Sequence, residues 1–202
     1  NGSQNRGNPK LVDKRMYDQI PTTDFRIHMA LPNAPNSNSA ASNDLGGSAA
    51  NDPNYDSQAE FIAAKAAIVA EYGMTSRHNT HPYMHVKFLQ KQPGTIAPDD
   101  IIYMRSAEMY LNEIESKIML NDLAGARTVL QTFGSSRDSA FDASVFATKE
   151  ELLNQLKFQR YIELYGEGFS YTDHIRWDQG IDLAGSGASE VLYQDGFFQA
   201  KP

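Results

Sequence analysis

The 202-residue sequence has no cysteine and a single tryptophan. Without cysteine there are no disulfides, no thiolate metal sites and no thiol nucleophiles. The compartment stays open, because many exported bacterial proteins also lack disulfides. Long apolar runs are missing too. No stretch approaches the roughly 18 residues that read as a membrane-spanning helix. Basic runs are also absent. Lys and Arg number 18 against 25 Asp and Glu, for a net charge of −7. That balance argues against a nucleic-acid partner, whose phosphates reward basic patches. No Gly-rich phosphate loop, nucleophile elbow or kinase signature occurs. Gly185 and Gly187 lack a strand–helix context and read as loop. The opening NGSQNRGNP holds neither an initiator Met nor a signal peptide, so any targeting segment is expected upstream.

What is present reads as a globular chain, 41% apolar and 21% charged, long enough for one good core or two small ones. Its organising stretch is Thr148 to Trp177. Thr148 with Glu151 fits a capping box, and Gly166 and Gly168 are plausible stops, so the pattern predicts a helix over 149–167. On a wheel of about 100° per residue, Leu152, Leu153, Leu156 and Leu164 share an arc with Arg160, Glu163 and Glu167. Phe158, Tyr161, Ile162 and Tyr165 occupy the other side. A helix apolar on two sides is mostly buried, and its charges must then be paired. The candidate partners are each other, Asp173 and Arg176 just downstream, and Arg105 and Glu108 on an earlier helix.

The remaining elements follow from punctuation and period. Residues 1–56 are rich in Asn, Ser, Asp, Gly and Pro and read as a loop-rich segment, with 33–54 a long surface loop. Alternation of Phe25, Ile27 and Met29 with Arg26 and His28 predicts a short strand. Residues 57–98 hold a helix over 58–72, with Ser57 and Glu60 as its capping pair and Gly73 as its stop, then an extended segment with Met84, Val86 and Phe88 alternating. Residues 99–177 form a helical core. Its first helix, 100–120, opens at Pro98, Asp99 and Asp100. Tyr103, Met104, Ala107, Tyr110, Leu111, Ile114 and Ile118 share a broad arc of that helix. Asn121 and Asp122 make a tight connection to a short helix ended by Gly134, so the two are antiparallel neighbours in a hairpin of the tetratricopeptide type. Residues 178–202 read as an irregular tail.

Three groups invite a chemical reading. Glu163 and Glu167 lie one helical turn apart, a spacing that suits paired-carboxylate glycoside hydrolysis, but with arginines nearby a salt-bridge network is the stronger interpretation. His78, His81 and His85 offer imidazoles for zinc, yet Pro82 interrupts any helix there, and surface or hydrogen-bonded histidines outweigh a metal site. Sugars stack their apolar faces on aromatic rings. Tyr17, Tyr55 and Tyr83, in loops beside Asn and Asp, are the candidate ligand-binding residues, although ordinary packing explains most such tyrosines. Trp177 reads as a packing anchor.

The charged runs also carry a family resemblance. Arg105-Ser-Ala-Glu108-Met-Tyr-Leu-Asn112-Glu-Ile-Glu115 resembles a helix of the SusD/RagB family. Arg160-Tyr-Ile-Glu163-Leu-Tyr-Gly-Glu167-Gly168, followed by Asp173-His-Ile-Arg176-Trp177, resembles that family's long Arg–Glu–Gly–Asp–Arg–Trp run. Arg15, Tyr17, Asp24 and Arg26 resemble its preceding Asp-x-Arg segment. The likeness covers 100–177 closely and 10–30 loosely. It departs at Ser170 and Tyr171, where the family often has a basic residue, and in lacking the family's closing Pro- and Asn-Pro-containing run. The resemblance implies a mainly α fold of tetratricopeptide-like hairpins with long irregular loops, an α–α superhelix, of which this chain is expected to be the C-terminal part. It implies a lipid-anchored outer-membrane protein of the bacterial surface, anchored outside this chain. Such proteins bind starch or another glycan without catalysis and deliver it to a SusC-like TonB-dependent transporter. Arg105, Glu108, Arg160, Glu163, Glu167, Asp173 and Arg176 are then structural. No cofactor, metal or catalytic residue is expected. A peptide- or protein-binding helical-repeat module is the alternative, and a glycoside hydrolase the third.

Overall fold

The structure is a computed structural model that describes residues 4–5, 8–37, 52, 54–74, 79–87, 104–179, 181–182 and 197–198. It forms two compact units. One comprises residues 1–17 and 28–101, the other 18–27 and 102–202. The fold is mainly helical, and its strands are two-residue pairs.

In the first unit, β1 (Gln4–Asn5) and β2 (Asn8–Pro9) pair antiparallel. A single turn, α1 (Lys14–Tyr17), follows. Strand β3 (Ala30–Leu31) precedes α2 (Gln58–Glu71) and pairs antiparallel with β4 (Met84–His85), placing Leu31 opposite Met84. Leu11 bridges to the other side of Met84. Helix α2 begins where expected. Ser57 accepts the Glu60 N–H at 3.2 Å, while the Glu60 carboxylate takes the N–H of Asp56. It ends at Gly73, whose φ of 60° is left-handed.

The second unit begins with the strap 18–27. Here the predicted strand at Phe25, Ile27 and Met29 is corrected: Phe25–Met29 is a 3-10 turn, and the strand begins only at Ala30. The reason is Asp24. Its carboxylate accepts the Arg26 N–H at 2.9 Å and its carbonyl accepts the Ile27 N–H at 3.1 Å, closing a turn that an alternation pattern does not reveal. Phe25 is consequently 59% exposed and Arg26 only 6%.

Helix α3 (Ser106–Met119) and helix α4 (Leu123–Ser135) form the hairpin that the short connection predicts. Asn121 turns the chain at φ 63°, and Asp122 caps α4 by accepting the Gly125 N–H at 2.9 Å. The helix opens at Ser106 rather than 100, because Arg105 is extended at φ −127° and ψ 144°. The predicted start at Pro98–Asp100, together with Tyr103, lies outside the described residues. Within the arc, Leu111, Ile114 and Ile118 are buried as the period requires, whereas Met104 (63%) and Tyr110 (43%) are exposed. The buried side chains meet Leu130 of α4 and Leu152 and Leu156 of α5 (Lys149–Glu163) in one core.

Helix α5 starts with the full capping box of Thr148 and Glu151. It ends at Glu163, not 167, and the expected polar tail is a further helix, α6 (Phe169–Arg176). Left-handed Gly166 (φ 77°) and Gly168 (φ 89°) reverse the chain between the two. Beyond α6, Ile181–Asp182 (β5) pairs antiparallel with Phe197–Phe198 (β6).

Gly134 does not end its helix, which runs on to Ser135. A Cβ there would lie 2.3 Å from the Phe141 ring, so the glycine lets that ring close over α4. Gly134→Ala is expected to lower stability by about 2 kcal/mol through overpacking. Urea unfolding measures it, and a loss below about 0.5 kcal/mol would show that the ring yields freely.

Candidate functional site

In the second unit, the charges on α5 are gathered into two clusters. The first is built around Glu163, 5% exposed. Its Oε1 accepts from Arg105 Nη1 at 2.8 Å and Arg137 Nη2 at 3.3 Å, and its Oε2 accepts from Arg26 Nη1 at 3.2 Å. Arg105 also holds both Glu167 oxygens, at 2.6 and 3.1 Å, and donates to the Glu163 carbonyl at 2.7 Å. That last bond satisfies a carbonyl at the end of α5 and places a cation at the negative end of the helix dipole. Arg26 grips both oxygens of Asp24 (3.0 and 2.6 Å) and donates to Gln159 Oε1 at 2.7 Å.

The second cluster is built around Asp173. Arg160 bonds both its oxygens, at 2.9 and 3.0 Å, and donates to Asn112 Oδ1 at 2.8 Å. Arg176 shares Asp173 at 2.8 Å and bridges to both oxygens of Glu115. Trp177 Nε1 donates to the same carboxylate at 3.0 Å, and the guanidinium of Arg176 lies 4.4 Å from the indole centroid.

Sequence reasoning offers Arg160, Glu163 and Glu167 three sets of partners: each other, Asp173 and Arg176, and Arg105 and Glu108. In the structure Arg160 pairs with Asp173 from α6, and Glu163 with arginines from three other segments. Glu108 makes no ion pair among the described residues, and its backbone N–H donates to the Arg105 carbonyl. Asp24, Arg26, Glu115, Arg137, Asn112 and Gln159 are partners that sequence reasoning did not assign. The Asp24-x-Arg26 and Asn112 positions stood within the family-like runs and were the available signal. Arg137, in the loop after α4, had none.

Burial pushes the Glu163 carboxyl upward, but the hydrogen bonds and charge of Arg137, Arg105 and Arg26 outweigh it and hold the group below its ordinary range. Glu115 is likewise lowered, with burial overcome by Arg176 and Trp177. A glycosidase acid needs a raised pKa and an open face toward substrate. Glu163 has the opposite electrostatics, and its oxygens are engaged by guanidinium groups.

The aromatic candidates lie in the first unit. Tyr83 has φ 63°, a conformation rare for a bulky residue. Its backbone is pinned: its N–H donates to Leu31 O and its carbonyl accepts from Val12 N, both at 2.8 Å. Tyr17 meets its ring edge-on, with centroids 5.5 Å apart at 78°, and Lys14 Nζ lies 5.6 Å from the Tyr83 centroid. Tyr55 is used differently. It packs edge-on against the buried Phe61, and its hydroxyl donates to Asn33 O at 2.5 Å.

Of the three histidines, His78 lies outside the described residues. His81 Nδ1–H donates to Pro82 O at 2.9 Å. His85, 3% exposed, is lowered from 6.5 to about 4 by burial and then by the charges of Lys87 and Lys10. No group of three metal-ligating side chains occurs among the described residues. A base whose folded pKa is depressed stabilises the fold fully above its unfolded value, and that stability is lost as pH falls through the folded one. Stability is therefore expected to drop by about 2 kcal/mol between pH 7 and pH 4 on account of His85. Comparing urea titrations of the protein and of His85→Gln at the two pH values isolates this part. An unchanged slope in the variant would remove the assignment.

The family model described as the SusD family matches residues 9–200, nearly the whole chain. The chain belongs to the SusD family. Membership agrees with the class of role that the resemblance implied, glycan binding at the bacterial outer membrane. No curated protein and no solved structure matched the chain. The helical hairpins of this SusD-family chain agree with that membership, and no helix among the described residues is long and apolar enough to cross a membrane.

Proposed function

We propose that the chain binds a glycan, starch or another polysaccharide, without cleaving it, and hands it to a SusC-like TonB-dependent transporter at the outer membrane. A lipid anchor is proposed to hold it at that surface. The observation that carries this reading is the family match over 9–200. The electrostatics of Glu163 support its non-catalytic part, because a carboxylate surrounded by Arg26, Arg105 and Arg137 is a poor proton donor. Tyr17, Tyr55 and Tyr83 are the proposed ligand contacts, with Tyr17 and Tyr83 the better placed, since the Tyr55 hydroxyl is bonded to backbone.

The test sets a glycan array against a panel of extended peptides, with reducing ends assayed on each bound glycan. Oligosaccharide binding with no release of reducing ends is the expected result. Binding confined to peptides would turn the assignment to a peptide-binding helical module. Hydrolysis that persists through purification and vanishes in Glu163→Gln would make the protein an enzyme.

A further inference from the structure

The flank of α4 carries a cleft that neither charge cluster uses. It lies between that helix and the short turn Ala143–Val145 and has a volume of about 710 Å3. Small-molecule sites run from about 300 to 1,000 Å3. The lining is Arg127, Thr128, Gln131, Thr132, Asp142 and Ser144, with three alanines between them. Its two walls are tied together. Gln131 Nε2 donates to the Phe141 carbonyl at 3.0 Å, while its Oε1 accepts the Ala143 N–H at 2.7 Å. Arg127 Nη1 donates to the Phe146 and Ala147 carbonyls, each at 3.3 Å. The Glu151 carboxylate takes the Ala147 N–H at 2.9 Å. The cleft is thus preformed, and a ligand loses little in ordering it.

Two opposite charges line this cleft without pairing. Neither Arg127 nor Asp142 makes an ion pair among the described residues. The Arg127 bonds run through Nη1, which fixes the guanidinium. Its Nε–Nη2 edge, the side that forks onto two acceptors, is unengaged among the described residues. Asp142 Oδ1 accepts the Ser144 N–H at 2.8 Å, and a carboxylate has acceptor positions beyond that one bond. The Thr128 and Thr132 hydroxyls donate into their own helix, to the Ala124 and Thr128 carbonyls at 3.1 and 3.2 Å, so toward a ligand they are acceptors.

A fitting ligand offers acceptors to Arg127 and donors to Asp142 and the threonines. It carries no net charge, because the two charged walls cancel. Neighbouring sugar hydroxyls meet both demands, since each can donate and accept. An extended peptide is served less well, because alanine methyls give no pocket for an apolar anchor. We propose that this cleft is a second saccharide site, where Arg127 and Asp142 hold a neutral oligosaccharide edge-on through its hydroxyls, in addition to the tyrosines of the first unit. This rests on the glycan-binding function proposed above and adds to it a site and a charge class.

The test is NMR of the full chain, following the Arg127 Nε–H and the Ala143 and Ser144 backbone N–H signals. The probes are malto-, xylo- and manno-oligosaccharides, an oligogalacturonate and an extended Ser/Ala peptide. At least one neutral saccharide is expected to shift these signals to saturation, binding at least about tenfold more tightly there than the galacturonate. Arg127→Lys keeps the charge but loses the fork, and is expected to weaken that binding by about tenfold. Asp142→Asn is expected to weaken it by about fivefold. Melting temperatures report whether the walls stay closed, and if Arg127→Lys loosens them, Asp142→Asn decides. A change below about twofold in Asp142→Asn overturns the site. Galacturonate binding as tight as neutral binding overturns the charge class, and shifts from the peptide alone overturn the saccharide assignment. Saccharide-induced shifts confined to Tyr17 and Tyr83 overturn the second site and leave the glycan function standing. If no saccharide shifts any signal, that function falls as well.

Discussion

Glu163→Ala is expected to destabilise the protein by about 4 kcal/mol, because it leaves three guanidinium groups facing one another without their shared anion. Arg26 is 6% exposed and cannot turn to solvent without releasing Asp24 and Gln159. Arg105 retains Glu167 and Arg26 retains Asp24, while Arg137 is left with Ser136 Oγ at 2.6 Å and the face of Phe133, 4.6 Å from its centroid, so the cost lies in Arg137 losing its carboxylate and in three cations crowded without their common one. Urea unfolding at neutral pH measures the loss, and a value below about 0.5 kcal/mol would mean that water already reaches the cluster. The pH profile provides a second check. Glu163 is lowered from its ordinary 4.5. Its contribution is therefore complete above that value and disappears as pH falls through the lower folded one. The acid branch of the stability curve should be shallower in the variant than in the parent.

Arg160→Leu is the second large effect, expected at about 3 kcal/mol. Asp173, 5% exposed, would keep only Arg176, and Asn112 Oδ1 would lose its donor. Arg160→Lys should recover only part of the loss. A single ammonium cannot span both Asp173 oxygens and reach Asn112 as the planar fork does. A lysine variant as stable as the parent would show that charge alone suffices and that the bidentate geometry contributes nothing.

Both substitutions act on contacts that join distant parts of the chain, and this marks where sequence reasoning stopped. The wheel placed Arg160 and Glu163 on an inward arc of α5, and both are buried. It could not say that Arg160 looks toward Asp173 on α6 while Glu163 looks toward Arg26 and Arg137, because a wheel gives direction around one axis and no information about what stands opposite. The strap at 18–27 shows the same limit. Alternation suggested a strand, and the hydrogen bonds of Asp24 produced a turn that buries Arg26 against Glu163.

By itself the sequence determined the local features. The capping box of Thr148 and Glu151, the Ser57 cap, the stop at Gly73, the α3–α4 hairpin and the family are all written in residues a few positions apart, where propensity and hydrogen bonding act without tertiary help. Only the tertiary structure decided that α5 ends at Glu163, where Arg105 from 58 residues away takes its last carbonyl. It alone brought Tyr17 and Tyr83 into contact. Partners so far apart in the chain meet only once the core has closed, so no local pattern encodes them.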